Sequence, residues 1–205
     1  MTAEPTVVKR MGVFGGAFDP PHAAHVALVK AALAELQLDQ LRVVPTGEAW
    51  HKTRSLSPPQ QRLAMAQLAF ADLPRVVVDP CEIQRAGPSY TVDTLREFKI
   101  LWPAAELFLI LGEDQARALP EWRAWQEIVQ LAIICVAVRA DSTGATPKFV
   151  INKGLESRFR WLPMPALLVS ATDIRTRIAA HQSVDDMVFA PVARYIALHH
   201  LYQTT

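Results

Sequence analysis

The sequence predicts an α/β fold: a doubly wound, Rossmann-like parallel sheet with helices on both faces and a helical segment at the C-terminus. Three observations predict it. Short apolar, β-branched runs at 7–14, 41–44, 75–78, 107–111 and 131–138 alternate with helix-like stretches at 23–36, 59–70 and 92–101, the pattern of parallel strands joined by helical crossovers. The first run ends at a glycine pair and leads straight into a helix start, which is where doubly wound sheets bind phosphate. The chain has 205 residues, 51% of them hydrophobic. That is enough for one full core, so residues 1–205 are read as a single domain.

The first strand is the run Val7-Val8-Lys9-Arg10-Met11-Gly12-Val13-Phe14, and Gly15-Gly16-Ala17-Phe18-Asp19-Pro20-Pro21-His22-Ala23-Ala24-His25 follows it. Asp19 is a good N-cap, and the prolines after it suit a first helical turn. A helix start here aims backbone N–H groups and the positive end of the helix dipole at any ligand, while Gly15 and Gly16 let that ligand approach the backbone. His22 and His25, three apart, share one helical face. Two imidazoles beside an anion site suit phosphate, which favours their protonated form against the helix dipole, which opposes it. A capping turn with two surface histidines and half of a metal site are the alternatives. No Cys or His partner at metal spacing supports the latter.

Beyond the second strand, His51-Lys52 and Arg54 form a basic loop, and Arg62 in the next helix belongs to no motif. Gly87-Pro88 is a turn that feeds a Thr- or Asp-capped helix. Trp122 and Trp125 have helical spacing, for which core packing is the usual reason. Cys135 lies inside the apolar run 131–138, where a buried, reduced thiol is expected, and Cys81 is distant from it. Residues 141–147 are rich in Ser, Thr, Gly and Pro and read as a surface loop. Near the C-terminus, Leu167-Leu168-Val169 leads into Ser170-Ala171-Thr172-Asp173-Ile174-Arg175. Ser170 and Asp173 have capping-box spacing, and a capped helix start still offers a Thr hydroxyl and the Arg175 guanidinium to phosphate. The segment from Pro191 to Tyr202 reads as a packed terminal helix.

A formal net charge of +1 gives no bulk electrostatic case for nucleic acid or an anionic membrane. Residues 1–10 lack the apolar core of a secretory signal, and the run 131–138 is far shorter than the roughly 20 residues a membrane span needs. A cytoplasmic protein is expected. Neither a Ser-His-Asp triad nor a Walker A sequence is present, so the sequence supports neither hydrolysis through a triad nor P-loop phosphoryl transfer.

The run Gly-Gly-x-Phe-Asp-Pro-x-His-x-x-His resembles the phosphate signature of the nucleotidylyltransferase superfamily, with Ala24 where glycine usually stands, and Ser170 to Arg175 resembles its second ATP signature. Three further segments resemble the nicotinate mononucleotide adenylyltransferases within it: Gly87-Pro88-Ser89-Tyr90-Thr91-Val92-Asp93-Thr94-Leu95, Leu111-Gly112-Glu113-Asp114, and Leu119-Pro120-Glu121-Trp122. His51-Lys52 matches half of a fourth, with Ala49-Trp50 in place of prolines. The resemblance implies transfer of adenylyl from ATP to nicotinate mononucleotide. It implies ATP contacts from Gly15, Gly16, Phe18, His22, His25, Asp114, Ser170, Thr172 and Arg175, with His22, His25, Lys52 and Arg175 catalytic. Ser89, Tyr90, Thr91 and Trp122 would hold the pyridine nucleotide, Trp122 by stacking on its ring. Mg²⁺ is expected, carried mainly by the ATP phosphates rather than by a protein cage. Oligomeric state stays open, including a homo-oligomer.

Overall fold

The computed structural model of the chain describes residues 8–48, 55–139, 154–164 and 167–203. Six parallel strands form one sheet: β1 (Arg10–Gly16), β2 (Gln40–Pro45), β3 (Val76–Val78), β4 (Glu106–Gly112), β5 (Ala132–Arg139) and β6 (Phe159–Met164). Their order across the sheet is β3-β2-β1-β4-β5-β6. β1 therefore lies between β2 and β4, pairing Phe14 with Val43 on one side and Met11 with Leu107 on the other. The strand order reverses there, opening a crevice beyond the carboxyl ends of β1 and β4. The doubly wound sheet expected from the alternation is the one observed.

Eight helices accompany the strands among the described residues: α1 (Ala23–Glu35), α2 (Pro59–Phe70), α3 (Cys81–Gln84), α4 (Thr91–Leu101), α5 (Glu113–Ala118), α6 (Trp125–Leu131), α7 (Ala171–Ala179) and α8 (Ala190–Leu198). The period-two alternation of β4 decides which helix packs where. Phe108 and Ile110 join a core with Val29 of α1, Met65 of α2, Ile174 of α7 and Ile196 of α8. Leu107, Leu109 and Leu111 face the opposite way, onto Leu95 of α4 and Ile128 of α6. Each fully buried aliphatic side chain of this kind contributes about 1.5–3 kcal/mol. Packing on both sheet faces thus dominates over helix propensity, and Cys135 lies inside it as a buried thiol.

Four local readings change. α1 begins at Ala23 with His22, not Asp19, as its N-cap; Pro20 and Pro21 lie before the helix, and Asp19 is buried with other partners. α4 begins at Thr91 with Tyr90 as N-cap and no side-chain cap. Trp122 and Trp125 do not share a helix: Trp122 is extended, and Ala124, at φ 52°, breaks the chain direction before α6. The strand β6 is additional to those expected. Its Pro163 pairs with Val138 at the sheet edge, a position where proline is tolerated. Residues 141–147 lie outside the described residues.

Candidate functional site

β1 runs through Gly15 and Gly16, and the chain then turns at Phe18, whose φ of 49° is left-handed. A Cβ on Gly16 would come within 3.1 Å of the Phe18 ring, so a side chain there would require the ring to give way. Phe18 is buried edge-on against Phe14 (5.4 Å) and Phe70 (6.1 Å). It forms an apolar floor beneath His25, 5.1 Å away. His22 is the extended N-cap of α1 and His25 is three residues on, which stacks the two imidazoles at 3.7 Å with 27° between their planes.

The His22 backbone N–H donates to His25 Nδ1 at 3.2 Å. An accepting Nδ1 assigns the proton of a neutral His25 to Nε2, leaving that edge as a hydrogen-bond donor. Burial lowers the pKa of His22 to about 4. Burial first, and then His22 itself, holds His25 well below the ordinary histidine value. Without phosphate, burial thus favours the neutral form of both imidazoles, in which they offer N–H donors rather than charge; the protonated form is expected only against a bound phosphate.

The second signature reaches this turn through Arg175. Ser170 caps α7, its hydroxyl accepting from the Asp173 N–H at 3.1 Å and donating to the Asp173 carboxylate at 2.7 Å. One turn along, Arg175 donates to the Asp19 carbonyl at 2.9 Å and to the Thr172 hydroxyl at 3.1 Å. The two signatures, 156 residues apart at this contact, meet here. The Asp19 carboxylate accepts from Tyr202 Oη at 2.6 Å and from the Ser57 N–H at 3.3 Å.

Sequence reasoning missed Arg62. It is 1% exposed, and its guanidinium donates to the carbonyls of Ser57 (2.9 Å), Ala17 (2.9 Å), Thr46 (2.6 Å) and Gly47 (3.2 Å). A buried charge without partners would be costly; here it gathers the phosphate turn, the end of β2 and the entry to α2 around one planar group. The signal was present in the helical period. Arg62, Met65, Ala66 and Ala69 form the buried stripe of α2, so Arg62 stands where a core residue belongs.

Gly47 joins this frame to the second half of the site. Its N–H donates to Ser89 Oγ at 3.1 Å, and a Cβ there would lie 2.0 Å from the Glu82 carbonyl, which excludes any side chain. Ser89 N–H in turn donates to the Glu48 carbonyl at 3.1 Å. The Ser89 hydroxyl is thus engaged in holding the loop that presents Tyr90 and Thr91. Beneath it, buried Glu82 accepts from the Thr94 hydroxyl at 2.8 Å; burial pushes the Glu82 carboxyl up, against the Thr94 bond, which lowers it. Arg123 lies 4.5 Å over the Tyr90 ring, which brings the Trp122 segment beside the start of α4. Trp122 is half-buried against the same apolar cluster as Tyr90, and its N–H donates to the Leu119 carbonyl at 3.0 Å. Asp114 is exposed in the first turn of α5, directly beyond β4. His51, Lys52 and Arg54 lie outside the described residues.

Known proteins resemble the chain along nearly its whole length. Residues 13–177 match the family described as cytidylyltransferase-like. The chain is 78% identical over 197 residues to a protein of Albidiferax ferrireducens described as "probable nicotinate-nucleotide adenylyltransferase", covering 96% of this chain and 100% of that one. It is 40% identical over 206 residues to a protein of Methylibium petroleiphilum with the same description, covering 98% and 95%. Among solved structures, the Plasmodium falciparum nicotinic acid mononucleotide adenylyltransferase complexed with NaAD superposes with a TM-score of 0.76. That match covers 95% of this chain and 97% of the other at 20% identity, and it speaks to the fold.

Proposed function

Because the chain belongs to the cytidylyltransferase-like family and, within it, to the nicotinate-nucleotide adenylyltransferases, we propose that it joins MgATP to nicotinate mononucleotide. The 5′-phosphate of the mononucleotide attacks the α-phosphorus in line, the α–β phosphoanhydride bond breaks, and nicotinate adenine dinucleotide and pyrophosphate leave. No covalent enzyme intermediate forms. A phosphate monoester has its second pKa near about 6 and is largely ionised at neutral pH, so the nucleophile requires no general base. What the reaction requires is alignment of two anions and relief of their repulsion.

The observation that carries this reading is the delivery of Arg175 from α7 to the turn holding the stacked His22–His25 pair. His25 Nε2–H donates to an oxygen of the reacting phosphate, and His22 supports it from the N-cap position. Gly15 and Gly16 let the triphosphate approach the backbone at the end of β1. Arg175, with Lys52, neutralises the departing pyrophosphate, while Ser170 and Thr172 shape that end of the site. Asp114 takes the ribose. At the other half, Thr91 at the start of α4 offers a backbone N–H to the nicotinate carboxylate. Trp122 stacks on the pyridine ring, and Ser89 and Tyr90 hold this wall in place.

Among the described residues no three His, Cys, Asp or Glu side chains gather to hold a metal. In the proposed reaction Mg²⁺ enters with the ATP phosphates. No helix among the described residues is long and apolar enough to cross a membrane. The cytoplasm, where both nucleotides are at hand, is the compartment this reading requires. Incubating the purified protein with ATP, Mg²⁺ and either nicotinate or nicotinamide mononucleotide, and following pyrophosphate and dinucleotide, tests the reading. Product from nicotinate mononucleotide is expected. If neither mononucleotide reacts while another phosphorylated acceptor does, the acceptor assignment is wrong.

A further inference from the structure

The chain does not stop at the end of α8. After Leu198 it turns back through His200 and Tyr202, whose φ values of 51° and 64° are both left-handed. At His200 this is the conformation of a helix C-cap: the His200 N–H donates to the Ala197 carbonyl at 3.3 Å and the Leu201 N–H to the Ile196 carbonyl at 3.0 Å, which buries Leu201 in the core. At Tyr202, a bulky residue for which this region is an outlier, the turn carries a phenol hydroxyl inward to Asp19 Oδ1, at 2.6 Å and 183 residues away in sequence; Met65 Sδ lies 3.9 Å from the phenol oxygen. Burying a hydroxyl is unfavourable unless it finds a partner. This one is directed at the carboxylate of the phosphate turn.

We propose that Tyr202 is a positioning residue of the phosphate site: by fixing the Asp19 side chain it fixes the Asp19 carbonyl that anchors Arg175. Oδ1 takes the Tyr202 hydroxyl and Oδ2 takes the Ser57 N–H, so both edges of the carboxylate are held. The main-chain oxygen of the same residue takes the Arg175 guanidinium. Burial, and then Asp19, push the Tyr202 phenol further up, which keeps the hydroxyl a donor across the working pH range. The C-terminus thereby contributes to the alignment of Arg175 with the histidine pair without touching substrate. The inference rests on the adenylyl-transfer reading for its kinetic arm.

Tyr202→Phe removes the hydroxyl and keeps the ring. Its kcat is expected to fall about tenfold, since small misplacements at a reacting centre are amplified in rate. KM for nicotinate mononucleotide should be unchanged, and MgATP affinity by calorimetry about threefold weaker. Ile196→Ala serves as the packing control. It should lower Tm at least as much, yet hold kcat within about twofold at a temperature where both variants are folded. A wild-type kcat in Tyr202→Phe overturns the inference, as does a loss of turnover that tracks Tm equally in both variants. If wild-type protein consumes no nicotinate mononucleotide, the adenylyl-transfer reading fails separately. The MgATP comparison then decides alone: weaker binding by Tyr202→Phe upholds the positioning role, and equal binding overturns it.

Discussion

The two halves of the site differ in how far along the chain their contacts reach. In the phosphate half, Arg175 and Tyr202 come to Asp19 across 156 and 183 residues, and Arg62 comes to Ala17 across 45. In the pyridine half, Thr94 reaches Glu82 across 12 residues, and Trp122 bonds its own turn at Leu119. Gly47 and Ser89 form the seam between them. Contacts of long reach exist only when the whole fold is in place, so the phosphate half couples rate to stability. The pyridine wall, whose contacts span shorter stretches of chain than those of Arg175 and Tyr202, should change its affinity for ligand with less effect on the rest of the molecule.

The largest expected effect breaks the long-range half at its centre. Arg62→Met strips four backbone carbonyls of their donor. With about 1–3 kcal/mol for each buried acceptor left unsatisfied, and some regained by water or relaxation, unfolding free energy in urea should fall by at least about 3 kcal/mol. Arg62→Lys keeps the charge but lacks the planar fork, and should recover only part of that loss. A deficit under about 1 kcal/mol in Arg62→Met would show that the guanidinium is not the frame of the phosphate turn.

Next comes His25→Ala, which should retain the fold and lower kcat at least about 10²-fold, the scale of losing one donor to a charged transition state. A folded variant with near-normal turnover would remove His25 from catalysis. The same pair sets a pH dependence. His22 drops from the ordinary histidine value of 6.5 to about 4 on folding, and His25 is lowered with it, chiefly by burial. Below pH 6.5 the unfolded chain binds protons that the folded chain refuses, so stability falls as pH drops. This contribution is complete above pH 6.5 and is progressively lost toward pH 4. Tm measured from about pH 7 to about pH 4.5 should fall less steeply in a His22→Asn, His25→Asn double variant. An unchanged slope would mean that the histidines are not the groups resisting protonation.

What can be read from the sequence divides along the same line. The glycine pair that ends β1, the helix start holding the histidines and the Ser170–Asp173 capping box are written in adjacent residues, where backbone preferences and caps act. Asp19 before two prolines has the local pattern of an N-cap, whereas the extended chain carries the cap on to His22. The Asp19 carboxylate instead serves tertiary contacts that no local pattern encodes. Tyr202 is illegible for the same reason, looking like an ordinary terminal residue until the sheet brings its partner near, and for Arg62 the helical period marks a buried position without naming the carbonyls it serves. β6 is hidden because Pro163 and the two consecutive exposed residues Arg160 and Trp161 obscure its alternation.

A smaller effect is expected in the pyridine half. Trp122→Ala should raise KM for nicotinate mononucleotide about tenfold, from lost stacking and apolar contact, with kcat within about threefold of wild type. An unchanged KM would leave Trp122 as a packing residue alongside Tyr90 and Trp125. A fall in kcat matching that of His25→Ala would erase the contrast between the two halves.

The smallest effect tests a short-range contact placed inside the long-range half. Ser170 sits beside Arg175, yet its hydroxyl is occupied on both sides by Asp173, accepting from its N–H and donating to its carboxylate. Removing an N-cap hydroxyl costs about 1 kcal/mol, and α7 remains tethered by buried Ile174 and by the Arg175 bond to Asp19. Ser170→Ala should therefore lose about that much stability in denaturant titration while KM for ATP moves less than about threefold. Arg175→Ala, by contrast, cuts the 156-residue contact and withdraws a charge from the leaving pyrophosphate, so its turnover should fall far more than its Tm suggests. If Ser170→Ala instead matched Arg175→Ala in turnover at equal foldedness, the Ser170 hydroxyl would have to leave Asp173 and bind phosphate directly. Reach along the chain would then no longer separate the residues that hold this site from those that act in it.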